Sequence, residues 1–232
     1  MKIFAIAILT ALLIPAICVA QTSYSQDFES LAPVDGSLAG DGWLNFANVF
    51  DGAMNYQYGY GVFPAVNNVG NWQDIVSGEG GPDQGAQQIV VYSDYANADH
   101  GNGFFIETNL FQEWTVAPGA SGVWNFTFDA KIGNLEGVST ALAFIKTLDP
   151  NAGYAMTNFI TADMTNTPGT WTGYLLQLDV TGLDGQILQI GFSATATNYE
   201  GCGVFYDNVN FEPDGTTATK NESWGGVKSL FR

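Results

Sequence analysis

Apolar and polar residues alternate along most of this chain in short runs. The clearest is "VWNFTFDAKI", which sets Trp124, Phe126, Phe128, Ala130 and Ile132 against Asn125, Thr127, Asp129 and Lys131. A period of two sends successive side chains to opposite faces of an extended strand, so this run predicts a half-buried antiparallel strand. "YLLQLDV" sets Tyr174, Leu176, Leu178 and Val180 against Gln177 and Asp179. "ILQIGFSATA" sets Leu188, Ile190, Phe192, Ala194 and Ala196 against Gln189 and Ser193. In "GVFYDNVNF" the pattern puts Phe205, Val209 and Phe211 on an apolar side that also carries Asp207. Further strands are predicted at "QQIVVYS", "GFFIETNLFQEW", "TALAFIKTL" and "YAMTNFITADM", with turn signals such as "PGAS", "DPNAG", "NTPGT" and "TGLDG" between strands. No stretch from 21 to 212 has the length and period of a substantial amphipathic helix. The pattern is all-β, a sandwich of antiparallel sheets. Residues 65–102, rich in Asn, Gly, Asp and Gln, read as looser, an inserted loop region.

"NYQYGYGVF" places Tyr56, Tyr58 and Tyr60 at every second position. In an extended strand the three rings share one side. Two readings follow. The rings cover the interior, as strand-favouring residues do, or they form a platform with the nearby Trp72 and an amide from Asn71 or Gln73. A platform of rings suits the flat apolar faces of sugars, and Tyr suits a half-wet place because its hydroxyl stays hydrated. The pattern leans to the interior.

The ends of the chain differ from its middle. Lys2, an apolar run and the triplet Cys18-Val19-Ala20 have the order of a secretory signal peptide cut after Ala20. A lipoprotein signal would use Cys18, but Pro15, Ala16 and Ile17 lack the usual leucine and small residue. The apolar run is short for a bilayer span, so no membrane insertion is expected. Residues 1–20 are thus read as leader, 21–213 as the sandwich domain, and 214–232 as a linker with a short basic, aromatic tail, "WGGVKSLFR". That tail is either a terminal helix folding back on the domain or a tag read by an export or surface-attachment component. The protein is expected to be secreted or held at the cell surface.

Without the leader, 23 acidic residues face five basic ones, a net charge near −18, and no Lys or Arg occurs from Gln21 to Ala130. Nucleic acid and anionic membranes need clustered cations, so both are excluded as partners. Carboxylates in this number suit a salt-tolerant surface or divalent cations. Past the leader Cys202 stands alone, which rules out an intramolecular disulfide or a thiolate metal cluster. The single His100 sits in no catalytic motif, and no serine lies in a nucleophile-elbow pattern. Paired carboxylates for glycoside hydrolysis stay open, because such partners come from distant strands.

Four motifs occur in order: "FE" with a later "GW" near the start, "FTFDAKI", Trp171 with Tyr174, and "FYDNVNF" near the end. Together they resemble the jelly-roll carbohydrate-binding modules of the galactose-binding-like superfamily, over roughly residues 25–212. Residues 50–102 depart from that pattern. The resemblance implies a jelly-roll β-sandwich with neighbouring first and last strands and a structural calcium ion where they meet. Glu29 and Asp207 take the matching positions, with Asp27 a weaker third. The residues allow this, since a carboxylate on the apolar side of a strand is costly to bury unless a cation or backbone amides hold it. The leading expectation is a non-catalytic module that binds an extracellular or cell-surface polysaccharide through Tyr56, Tyr58, Tyr60 and Trp72. The alternative is a self-associating structural or adhesive surface protein, and a glycan-active enzyme comes third.

Overall fold

The computed structural model describes residues 22–61, 64–67 and 72–215. The expected leader and the "WGGVKSLFR" tail lie outside the described residues, as does Asn71. Twelve strands are described: β1 (Tyr24–Gln26), β2 (Leu44–Phe50), β3 (Tyr56–Tyr60), β4 (Gln73–Ser77), β5 (Gln87–Val91), β6 (Phe105–Thr115), β7 (Val123–Leu135), β8 (Thr140–Asp149), β9 (Ala155–Asp163), β10 (Thr172–Asp179), β11 (Ile187–Ala196) and β12 (Cys202–Pro213). They pair into two antiparallel sheets. One runs β3-β2-β6-β11-β8-β9. The other runs β10-β7-β12-β5-β4, with β1 added against β12. The chain is a jelly-roll β-sandwich, and its first and last strands are neighbours, Tyr24 opposite Phe211 and Gln26 opposite Val209.

The inward faces are those that the alternation marked. Phe126, Phe128 and Ala130 of β7, Leu176 and Leu178 of β10, and Leu188, Ile190 and Phe192 of β11 are all buried. The sheets meet through aromatic rings, whose large area makes each worth a few kcal/mol of burial. Phe192 of one sheet stacks on Tyr206 of the other with ring centroids 3.8 Å apart, and Phe126 and Phe128 close around Phe192 at 5.7 and 5.1 Å.

Two features differ from the sequence reading. In β12 the inward ring is Tyr206, not Phe205. The pairing with β7 shifts register between Asp207 and Asn210, and Asn208 adopts φ 48° there. This bulge adds a residue and flips the face parity, so Tyr206, Val209 and Phe211 all point inward while Phe205 points out. Residues 65–102 are also not a loose insertion, because they contain β4 and β5. Their buried residues include Gln73, Asp74 and Gln88, so the run shows no apolar period. Gln73 exchanges amide hydrogen bonds with Asn45 of the opposite sheet at 2.7 and 2.9 Å.

Candidate functional site

The outward face of the β3-to-β9 sheet holds a groove of about 490 Å³. Strand register arranges its side chains in rows across the strands. One row runs Phe159, Lys146, Gln189, Glu113. The next runs Phe144, Gly191, Phe111, Leu44, and the third runs Leu142, Ser193, Asn109, Phe46. Beyond it Glu107 lies opposite Asn48. The floor is β11, where Gln189 and Ser193 flank Gly191. A methyl at Gly191 would fall on the Leu110 carbonyl and 2.8 Å from Phe111 Cα, so only glycine lets these strands close up here.

Aromatic rings stand around this floor. Phe159 is half exposed at 50%, Phe111 is buried at 5%, and both line the groove with Phe46. The polar residues are pre-arranged. Asn48 and Asn109 donate from Nδ2 to Glu107 Oε1 at 2.8 and 3.0 Å, and Gln189 Nε2 donates to Glu113 Oε2 at 2.6 Å. Gln189 Oε1 and Ser193 Oγ are buried with no hydrogen-bond partner among the described residues. Buried polar atoms are nearly always paired, and these two are exceptions beneath the groove, as Gln88 Oε1, Ser139 Oγ and Tyr206 Oη are elsewhere among the described residues. The Lys146 ammonium lies 5.4 Å from the Phe144 ring centroid and 6.0 Å from that of Phe111. Burial pushes its pKa down, while Glu107 and Glu113 pull it up.

The tyrosines do not share one side. A register shift pairs Phe50 with Tyr56 and Val49 with Tyr58, which makes Gln57 the extra residue of a bulge. Tyr56, 59% exposed, therefore joins the groove's face. Its ring meets Phe50 edge-on at 5.9 Å, and its hydroxyl and the Phe46 ring both lie over Gly59. Tyr58 and Tyr60 lie on the other side, against the loop that follows β5. Tyr58 Oη donates to Asp99 Oδ2 at 2.5 Å and Tyr60 Oη to Asp94 Oδ2 at 2.6 Å, while Asn97 Nδ2 donates to both hydroxyls. The Asp99 bond raises the pKa of Tyr58; burial and then the Asp94 bond raise that of Tyr60. Trp72 is buried at 6% exposure and packs edge-on to Tyr60 at 5.5 Å.

His100 is buried too. Its Nε2 lies 3.1 Å from Ser93 Oγ, and Tyr95 and Tyr199 flank the ring. Cys202 is buried, with Tyr95 Oη 2.8 Å from its Sγ.

The carboxylates expected at a metal, Glu29, Asp207 and Asp27, lie near the point where β1 leaves β12. Because Gln26 sits opposite Val209, the turn that follows β1 falls beside Asp207. Asp207 is fully buried. Its Oδ1 accepts from Asn208 N at 2.6 Å, and its Oδ2 has no hydrogen-bond partner. Burial, with Asp129, Asp27 and Glu29 adding like charge, pushes its pKa up to about 7. Glu29 Oε1 accepts from the backbone of Ala86 and Gln87 at 2.7 and 2.6 Å, and Asp129 Oδ2 accepts from Gln84 and Asn208. Phe28 and Asn208, next to the two acids, both adopt positive φ, 57° and 48°. Strain of this kind persists where the surrounding structure holds it and clusters at functional positions. Among the described residues, no three carboxylate, histidine or cysteine groups converge to hold a metal.

No family model matches the chain, and no curated protein matches it in sequence. The structure is similar to the CBM22-1–GH10 modules of the N-terminal endo-1,4-β-D-xylanase 10B of Clostridium thermocellum, complexed with xylohexaose. Identity there is 13% over 83% of this chain and 28% of that chain, with a TM-score of 0.44. It is similar to the CBM22-1 xylan-binding domain of Paenibacillus barcinonensis Xyn10C at 11% identity, over 84% of this chain and 96% of that one, TM-score 0.45. It is also similar to the enzymatically active domain of bacteriophage CBA120 tailspike protein 4 at 18% identity, over 63% and 20%, TM-score 0.41. The chain spans less than a third of the first and last of these. At these identities the likeness is one of fold.

Proposed function

We propose that this protein binds a polysaccharide chain in the groove on the β3-to-β9 sheet. The observation that carries the reading is a groove in which the rings of Phe46, Phe111 and Phe159 alternate with polar groups already held in place, Asn48 and Asn109 on Glu107 and Gln189 on Glu113. A sugar offers what suits this arrangement: hydroxyls for the groove's amides and carboxylates, and flat C–H faces for its rings. Tyr56 extends the aromatic line past Phe46, and of the four rings expected to bind it is the one on this face.

The groove is built for holding rather than cleaving. Its glutamates, Glu107 and Glu113, are six residues apart on β6, so their backbones are about 20 Å apart at ~3.4 Å per residue. Glycoside hydrolysis needs carboxyls within roughly 5–10 Å of each other. The order of residues 1–20 supports an exported protein, working outside the cell or at its surface.

A calcium ion belongs to the same proposal as a support of the fold. The orphaned Asp207 Oδ2 and the nearby Glu29 and Asp27 charges fit a hard cation, with backbone and amide oxygens completing its shell. When bound, the ion supplies positive charge to a buried carboxylate and joins the first strand to the last.

Affinity electrophoresis through gels holding soluble polysaccharides tests the groove. The intact protein is retarded by at least one class, and Phe159→Ala binds about tenfold more weakly, a loss of roughly 1.4 kcal/mol. Phe159 is half exposed, so its melting midpoint stays near that of the parent. Equal mobility in every gel would sink the reading.

A further inference from the structure

Residues 22–215 carry 22 carboxylates and two lysines, Lys131 and Lys146. Lys131 forms an ion pair with Glu79, Nζ to Oε2 2.6 Å. Lys146, in the same acidic chain, has no hydrogen bond or ion pair among the described residues. It is half-buried in the groove with its ammonium near two phenyl rings. The groove's own acids act on it only at a distance and form no ion pair with it. Glu107 is held by Asn48 and Asn109, and Glu113 by Gln189. Gln189 also stands between Lys146 and Glu113 in the row, which sets the two backbones about 9.6 Å apart, two strand spacings.

A cation partly removed from water with no carboxylate in contact is costly, and an anion delivered to it forms a charge-assisted hydrogen bond strengthened by the low local dielectric. We infer that the glycan held in this groove carries anionic groups, a uronate carboxylate or a sulfate ester, and that Lys146 receives one of them. The inference rests on the polysaccharide reading of the groove. Glu113 stands at the far end of the Lys146 row and Glu107 beyond the third row, so the charged sugar fits at the Lys146–Phe159 end of its row and neutral sugars fit elsewhere. Such a chain has acidic units scattered among neutral ones. The protein's overall negative charge does not forbid this, because at ~0.15 M salt the field of remote carboxylates is screened beyond about 8 Å.

The test is affinity electrophoresis of the full chain in gels containing a polysaccharide with scattered uronates, its carboxyl-reduced form, or a sulfated galactan. Retardation by the uronate polymer is expected to exceed that by the reduced form by about tenfold. Lys146→Met, which keeps the apolar stem over the rings, is expected to bind the two forms equally. Lys146→Arg is expected to keep the preference. The sulfated arm tells which anion is read. Equal binding of acidic and reduced forms by the intact protein, or an unchanged preference in a folded Lys146→Met, overturns the inference and leaves the groove reading standing. No retardation by any of the polymers overturns both.

Discussion

Asp207 was conspicuous in the sequence as a carboxylate among apolar alternates, and the structure gives it no exposure to water. Its raised pKa fixes the sign of a pH effect. The folded state holds the proton more tightly than the unfolded one, so this contribution to stability is fully present below pH 3.8 and is lost as the pH rises toward about 7. In chelator the melting midpoint should therefore fall between about pH 4 and 7. Asp207→Asn should flatten that fall, and calcium should remove it from the parent alone; equal slopes in parent and variant would refute the buried charge. His100 acts in the opposite sense. Burial lowers its pKa, so its contribution is present above 6.5 and lost as the pH drops, a loss that His100→Gln should lessen in the same melting series. Gln189 and Ser193 were legible only as the polar side of β11. Nothing local says that their side is the floor of a recess, because the walls come from other strands.

Among elements, strands with unbroken alternation were legible, and bulged ones misled. One extra residue in β3 divides the tyrosines between two faces, and one in β12 exchanges Phe205 for Tyr206. Neither insertion changes the composition, and only Asn208, a residue type tolerant of positive φ, hints at one of them. β4 was missed because its three buried positions, Gln73, Asp74 and Ile75, hold an amide and an acid beside a single aliphatic. Glycine positions separate folding from binding. A methyl at Gly59 would lie 2.6 Å from Phe46 Cζ and 2.8 Å from the Tyr56 hydroxyl, both ends of side chains that can swing. Gly59→Ala should thus lower polysaccharide affinity more than stability. Gly191→Ala meets backbone instead, and overpacking of about 1–3 kcal/mol should lower its melting midpoint by several degrees. Calorimetry and affinity electrophoresis on the pair check this; the reverse ranking would contradict the placement of Phe46.

Across the whole molecule, the layered class was readable from the order of strands, but the groove was not. Its rows draw on β2, β6, β8, β9 and β11, segments that only the sheet topology brings side by side. Charge acts at this scale as well. With 22 carboxylates and two lysines, residues 22–215 repel themselves, and the Lys131–Glu79 pair is the one ion pair among the described residues. Raising NaCl from about 10 to 300 mM should raise the melting midpoint as that repulsion is screened. A midpoint that falls with salt would mean that attractive charge contacts dominate. The pairing of β1 with β12 has a mechanical outcome. Tyr24 and Phe211 lie face to face, in the layer that does not bear the groove. A force applied between residues 22 and 215 is therefore borne first by the short β1–β12 ribbon, three residue pairs long, in the layer turned away from the groove.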